Sequence, residues 1–423
     1  MSNNINMGLI PSTVRRSYSA FLELSTKQGN ERSRAVDRMA KALKKNIQSI
    51  LECNTLDLES GRETAESDLI LEWLKLTPER IESTIEILER IAELPDPLQQ
   101  VMDATYQLNP SQTYCQRMPL GVIALVYESF PELAAIAAGL CLKSGNSIIL
   151  RGNSASHHSN IMIAQILRSA IEELGLPIHC LELLPTDKGL SIKELVSQDQ
   201  YINLVIPYGR PGLINDVVRQ ATAPVLKTAM GNCYLYWADS GDLNLTRSMI
   251  LDSHASEPDP VNAIEKVLVN RRHNNQELAH LFKSLIDNGF VLCGDSEIVD
   301  EFSDYFIYPV QESQWQSSYL SKTVAFKLVD DLKTAIDQIN RYSSGHADCL
   351  VTESYQESRQ FAMDVDSALV YINTSPRFVR NPPQGDSIFL GISNQKGYRR
   401  GLIGLDTLTT VKQVVQGMNW HLG

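Results

Sequence analysis

Seven cysteines, an adjacent histidine pair and a few isolated cations are the residues of this chain with chemistry to offer, and their spacing limits what that chemistry is. The cysteines (Cys53, Cys115, Cys141, Cys180, Cys233, Cys293 and Cys349) are scattered, with no CxxC pair and no CxxC/HxxxH arrangement. An odd, dispersed set reads as buried thiols rather than a disulfide framework, and no metal site is expected. His157 and His158 are neighbours, so on a helix they point in different directions and make a poor ligand pair. Cys293 closes a strand-like run, GFVLCGD, and reads as a strand-end thiol. Arg151 and Arg210 are candidates to meet a phosphate, Arg151 reading rather as the polar cap of a strand. The glycine-rich dinucleotide fingerprint and the GKS or GKT loop are both absent, so a nucleotide has to be held in some other way. Asn244-Leu-Thr246 and Asn373-Thr-Ser375 match a glycosylation pattern that carries no weight in a chain read as cytosolic.

The elements that must position these residues are clearest between Pro119 and Asn160. Val122 to Tyr127 is an almost unbroken apolar run, as in a strand buried on both faces of a parallel sheet. Pro131 opens a helix with Leu133, Ile136, Ala137, Leu140 and Cys141 at helical spacing, Gly145 closes it, and Ser147 to Leu150 supplies a second strand. This is a βαβ unit, whose strand-to-helix turns are where such folds hold nucleotides. Before it the chain reads as helical, over Arg32–Cys53 and Pro78–Ala92. After it come a helix near Asn160–Leu174, a strand near Ile202–Ile206, a glycine-bearing turn at Gly209–Gly212 and a helix near Leu213–Ala221. Strands follow at Val225–Lys227 and Tyr234–Trp237. A second series has helices near Pro260–Glu265 and Gln276–Asn288, with strands near Val267–Val269, Phe290–Cys293 and Thr323–Lys327.

A chain of 423 residues suggests two or three domains, each with apolar content for a core. Its 38 basic and 50 acidic residues leave a net charge of −12, which argues against nucleic acid as a partner. No signal peptide and no bilayer-length apolar run is evident, so the expectation is a cytoplasmic protein without a membrane partner.

Six blocks carry a resemblance: LCLKSGN (Leu140–Asn146), ILRGNS (Ile149–Ser154), GNCYLYWAD (Gly231–Asp239), INRYSSGHAD (Ile339–Asp348), VDSALVYINTSPRF (Val365–Phe378) and GLIGLDTLTTVK (Gly401–Lys412). Together, and in this order, they resemble the signature blocks of γ-glutamyl phosphate reductase, also called glutamate-5-semialdehyde dehydrogenase, of the aldehyde dehydrogenase superfamily. The resemblance implies NADPH-dependent reduction of γ-glutamyl phosphate to glutamate semialdehyde with phosphate release, a step of proline synthesis. It implies a cysteine thiolate that displaces phosphate to form a thioester, and donors that stabilise the oxyanion.

The chain departs from that pattern where the nucleophile belongs. The family's R-P-S-V-C-N-A-L-E corresponds to Glu257-Pro258-Asp259-Pro260-Val261-Asn262-Ala263-Ile264-Glu265, which puts Val261 at the cysteine's place, preceded by Pro260 with its fixed φ and missing N–H. The family's I-E-T-G-V-G-N-C corresponds to Leu226-Lys227-Thr228-Ala229-Met230-Gly231-Asn232-Cys233, with Lys227 at the acid. Its P-R-G-G-A-G becomes Pro207-Tyr208-Gly209-Arg210-Pro211-Gly212, and its Y-E-S-R-P-N becomes Tyr127-Glu128-Ser129-Phe130-Pro131-Glu132. W-x-x-E-Y-L becomes Trp315-Gln316-Ser317-Ser318-Tyr319-Leu320, and F-G-L-G-A-E-I-G-I-S is reduced to Gln384–Ser393. Cys233 lies where the family also carries a second cysteine and reads as structural. The candidate catalytic positions are therefore Val261, with its chemistry lost, Asn262 and Lys227. The candidate cofactor-binding residues are Ser129, Arg151, Gly152, Gly209 and Gly212.

The architecture implied is aldehyde-dehydrogenase-like α/β. A cofactor-type parallel-sheet domain is expected over 1–102, 118–228 and 365–380, and a second α/β domain over 229–364. An oligomerisation arm and tail are expected over 103–117 and 381–423. The first expectation for function is a family member with impaired or absent catalysis that binds a small molecule related to glutamyl phosphate. It would assemble as a homo-oligomer or with an active homologue or a glutamate kinase. The alternatives are an active dehydrogenase with a rearranged site, and an NADP-dependent oxidoreductase that needs no thioester.

Overall fold

The computed structural model describes residues 8–104, 111–186, 190–255, 260–306, 308–397 and 399–417, and they fall into two compact units. The first comprises Met1–Leu226, Arg380–Gly391 and Leu402–Gly423; the second comprises Lys227–Val379 and Ile392–Gly401.

In the first unit, β1 (Val101–Asp103) and β2 (Gln112–Pro119) precede a four-stranded sheet of β3 (Val122–Tyr127), β4 (Ser147–Arg151), β5 (Leu181–Leu183) and β6 (Ile202–Tyr208). Its order is β5-β4-β3-β6 and every pairing is parallel. All six residues of β3 are buried, which is why its sequence is apolar without alternation. The crossover helix Pro131–Lys143 starts on a proline that has no N–H to leave unpaired, and Gly145, at φ +75°, turns the chain back into β4. The expected Arg32–Cys53 helix is two helices, Gly29–Lys45 and Ile47–Glu63. Between them Asn46 leaves helical φ,ψ and its Nδ2 donates to the Ala42 carbonyl at 2.8 Å, a local bond that competes with the helix ladder. The expected strand Val225–Lys227 is a single bridge, Val205 to Val225.

The second unit contains β7 (Cys233–Trp237), β8 (Ile264–Asn270), β9 (Val291–Gly294), β10 (Thr323–Val329), β11 (Ala347–Val351) and β12 (Leu369–Ile372) in one parallel sheet of order β12-β11-β7-β8-β10-β9. A core of Leu235, Val267, Phe282 and Phe326 lies on one face, and one of Tyr234, Leu268, Trp315 and Phe361 on the other. Two expectations are corrected here. Pro260–Glu265 is no helix: the Pro260 carbonyl accepts the Ala263 N–H in a turn, and from Ile264 the chain is β8, held extended by β7 and β10. Residues 365–379 do not return to the first unit, because β12 pairs with β11 and extends the second sheet.

Short strands β13 (Gly391–Ser393) and β14 (Gly401–Ile403) fall where the chain passes from one unit to the other. The last strand, β15 (Thr409–Gln416), runs antiparallel to β2 over eight residue pairs, and β2 pairs with β1, giving a three-stranded arm within the first unit. Residues 105–110 of the expected arm and 418–423 of the expected tail lie outside the described residues. Among the described residues no helix is long and apolar enough to cross a membrane, and no three His, Cys, Asp or Glu side chains gather as metal ligands would.

Candidate active site

Val261 sits in the turn that leads into β8, with its side chain completely buried. Its carbonyl accepts two hydrogen bonds, from the Gly231 N–H at 2.9 Å and from His346 Nε2 at 2.8 Å. His346 is buried, and burial lowers its pKa from 6.5 to about 4, so the ring is neutral and the Nε2 proton is the one that serves Val261. Nδ1 of the same ring lies 2.8 Å from Ser344 Oγ. Asn262 Nδ2 donates to the Pro376 carbonyl at 2.7 Å, while its buried Oδ1 has no partner among the described residues. The structure therefore brings Val261, Asn262, Gly231 and His346 together. Residues 257–259, which help to set the register of this segment in sequence, lie outside the described residues.

Two thiols of this unit, those of Cys233 and Cys293, are both buried. Cys233 Sγ is 3.4 Å from His346 Nε2, but it is fully buried, and burial raises its pKa well above the usual thiol value, with Asp348, Cys349 and Glu265 adding to the rise. A thiol held protonated beside a neutral imidazole is not an activated pair. Cys293 is raised as well, by burial first, and lies 3.6 Å from Tyr319 Oη on the other side of the sheet's centre. Lys227 is half-buried at the start of the second unit. Its carbonyl accepts from Ser393 Oγ at 2.8 Å, and its ammonium has no ion pair among the described residues.

Glu265 and Lys266, a charged pair inside the apolar run of β8, organise this region although the sequence reading gave them no role. Cys233 pairs with Ile264 and Tyr234 with Lys266, so Glu265 is the extra residue of a bulge. Its buried carboxylate accepts the N–H groups of Asn232 (2.7 Å), Tyr319 (2.9 Å) and Leu320 (2.7 Å). Asn232 and Leu320 have φ of +57° and +52°, conformations that a fully used carboxylate can hold in place. Burial raises the pKa of Glu265, opposed by Lys266 and the three N–H donors, and those donors require an acceptor. Lys266 Nζ lies 3.4 Å from the Tyr319 ring centroid and donates to the Ser317 carbonyl at 3.1 Å. Ser318, at the position of a family carboxylate, spends its hydroxyl on the Met230 carbonyl at 2.8 Å. Two charges between Ile264 and the apolar run Val267–Val269 are the signal that could have found this cluster.

The five residues expected to hold a dinucleotide gather in the first unit, at and beyond the carboxyl ends of β3, β4 and β6, the place where open parallel sheets take nucleotides. Ser129, at φ +45°, is tied to Asn153 by two bonds, its N–H to Oδ1 (3.3 Å) and Nδ2 to its Oγ (2.8 Å). A side chain at Gly152 would meet Asn160 Nδ2 at 2.2 Å. Arg151 turns back on the main chain, donating to the Gly152 and Leu190 carbonyls. Phe130 is stacked on Trp73 (centroids 4.6 Å apart) and edge-on to Tyr208, while Glu132 pairs with Arg80. At the turn after β6, Gly209 is required twice over, by φ +148° and by Glu128 Oε2 2.8 Å from where its Cβ would be. The placement fits a dinucleotide. At this last turn the Glu128 carboxylate, a residue the family block also carries, lies against the main chain and accepts the Arg210 N–H at 2.9 Å.

A central parallel sheet in each unit, with an antiparallel arm, is the fold of aldehyde dehydrogenases, and the aldehyde dehydrogenase family model matches residues 7–254. A curated relative from Synechocystis, γ-glutamyl phosphate reductase 2, is 56% identical over 98% of this chain and 99% of its own. The γ-glutamyl phosphate reductase of Gloeobacter violaceus is 38% identical, with 96% of each chain covered. The crystal structure of the Thermotoga maritima γ-glutamyl phosphate reductase superposes with a TM-score of 0.87 at 32% identity, covering 98% of this chain and 99% of that one. This chain belongs to the γ-glutamyl phosphate reductase family.

Proposed function

We propose that this protein keeps the fold of its family but has lost the thioester step, and serves as a non-catalytic binding or regulatory member for ligands related to glutamyl phosphate. The observation that carries the reading is Val261. Its buried isopropyl group has no lone pair with which to attack an acyl phosphate, and Cys233, whose sulfur lies 3.4 Å from the His346 Nε2 that serves Val261, is held protonated by burial. In an active member NADPH would supply the hydride; Ser129, Arg151, Gly152, Gly209 and Gly212 are the residues here that face its binding place. The β1-β2-β15 arm is proposed as the surface through which a homo-oligomer, or a mixed one with an active homologue, forms.

The test is NADP reduction by the purified protein with glutamate semialdehyde and phosphate, at enzyme concentrations that expose weak turnover, beside an active family member. The reading expects none. Phosphate-dependent turnover would overturn it and send the search for a nucleophile to Cys233 first.

A further inference from the structure

We infer that the cleft between the helix Leu9–Leu24 and the turn Ile178–Cys180 is a binding site for a small dianion, a phosphate ester or a dicarboxylate, separate from the cofactor place. The cavity there measures about 510 Å³ and is lined on the helix side by Arg15, Arg16 and Ser19 and on the turn side by His179. Its floor is apolar, formed by Ala20, Pro177 and Ile178. Both walls are fixed at the amino ends of strands in the first sheet. Ser17 Oγ donates to Ser147 Oγ at 3.1 Å, where β4 begins, and the turn runs directly into β5 at Leu181. The residues expected to hold a dinucleotide lie at the opposite, carboxyl ends of that sheet.

A buried carboxylate builds the cationic wall. Glu182 Oε1 accepts Arg16 Nε at 3.2 Å and lies 2.8 Å from His179 Nδ1, while Arg168 Nη1 stands 3.8 Å from Oε2. With 5% of its side chain exposed, Glu182 orients these groups from behind. Arg16 Nη2 donates to Thr13 Oγ1 at 3.2 Å, and its Nη1, like His179 Nε2, has no partner among the described residues. Arg15 is exposed and has no ion pair among the described residues. Three guanidinium groups and an imidazole thus share two carboxylates, those of Glu182 and Glu23, in a chain whose net charge is −12. Glu23 lines the same cavity two helical turns beyond Arg15, about 12 Å along the axis, and leaves the cationic end to a ligand. Cations crowded in this way repel one another until an anion stands among them. The forked N–H donors of arginine suit the paired oxygens of a phosphate or a carboxylate, and the apolar floor suits the carbon body that carries them.

This site goes beyond the reading of lost catalysis, and neither depends on the other. Inorganic phosphate and succinate are the probes, each titrated calorimetrically into the full-length protein, with hydrogen–deuterium exchange followed in the peptides that cover 9–24 and 176–183. The expected result is binding that slows exchange in both peptides and weakens at least about tenfold in Arg15→Gln/Arg16→Gln. Tighter binding of phosphate assigns the site to a phosphate ester, and tighter binding of succinate to a dicarboxylate. Because Arg16 also holds Glu182, each variant is checked for a cooperative thermal transition, and Arg15→Gln, which removes no contact of the fold, is measured alone with an expected loss of at least about threefold. No binding of either probe at millimolar concentration overturns the site. So does binding that both variants leave unaltered, or that slows exchange only outside these two peptides, since either result puts the anion elsewhere.

Discussion

His346 Nε2 stands 2.8 Å from the carbonyl oxygen of Val261, and with the Gly231 N–H on the same oxygen it pins the backbone of the turn at the position where a nucleophile is expected. The side chain at that position is apolar, yet the main chain around it is held as firmly as if its placement still mattered.

Breaking that bond should be costly in one direction of pH. His346 and His254 are both held neutral by burial, each lowered from 6.5 to about 4. The unfolded chain takes up protons on both below pH 6.5, the folded one only near 4, so stability present above 6.5 is lost as pH falls through that window. Urea unfolding should show the loss at up to about 3 kcal/mol per group, and His346→Leu should remove its share while costing roughly 1–3 kcal/mol at pH 7. An acid limb unchanged in the variant would refute the assignment.

The opposite end of the scale belongs to Lys266. Burial lowers its pKa from 10.5 to about 8 despite Glu265 beside it. Between those values the unfolded chain keeps the proton and the folded chain does not, so stability should rise from pH 8 toward 10.5. Lys266→Met should flatten that rise when midpoints are compared at pH 8 and pH 10.

Thiol chemistry offers a third check. Cys141, Cys180, Cys233, Cys293 and Cys349 are buried, and each is raised in pKa by that burial. Brief iodoacetamide treatment of the folded protein at pH 7, followed by peptide mass spectrometry, should modify only Cys53 and Cys115. Rapid modification of Cys233 would restore it as a nucleophile candidate.

Gly209→Ala places a methyl group 2.8 Å from Glu128 Oε2 at φ +148°. The cost expected is about 1–3 kcal/mol in unfolding free energy. The same change in Glu128→Ala should cost less, because the contacts with Oε2 and Cγ are gone and only the Cβ at 3.1 Å remains.

The βαβ unit was legible because both-face burial leaves an unmistakable apolar run: β3 spans the six residues read as a strand. The turn at 260–265 was misread because its residues favour no element by themselves, and pairing with β7 and β10 decides it. Segment 365–379 was assigned to the wrong unit since strand pairing at long range has no local signature. Of the candidate site, Val261, Asn262 and Lys227 are named by the sequence blocks, while Glu265, Lys266 and His346 act through contacts with residues up to 113 positions away, as in the Cys233–His346 approach.

The arm adds a demand on synthesis. Arg117 on β2 meets Thr409 on β15 across 292 residues of chain. At about 5–20 residues per second, β2 emerges from the ribosome roughly fifteen seconds to a minute before its principal partner. For that interval one long edge of the arm stays open to other strands, and a neighbouring nascent chain offers the most similar one.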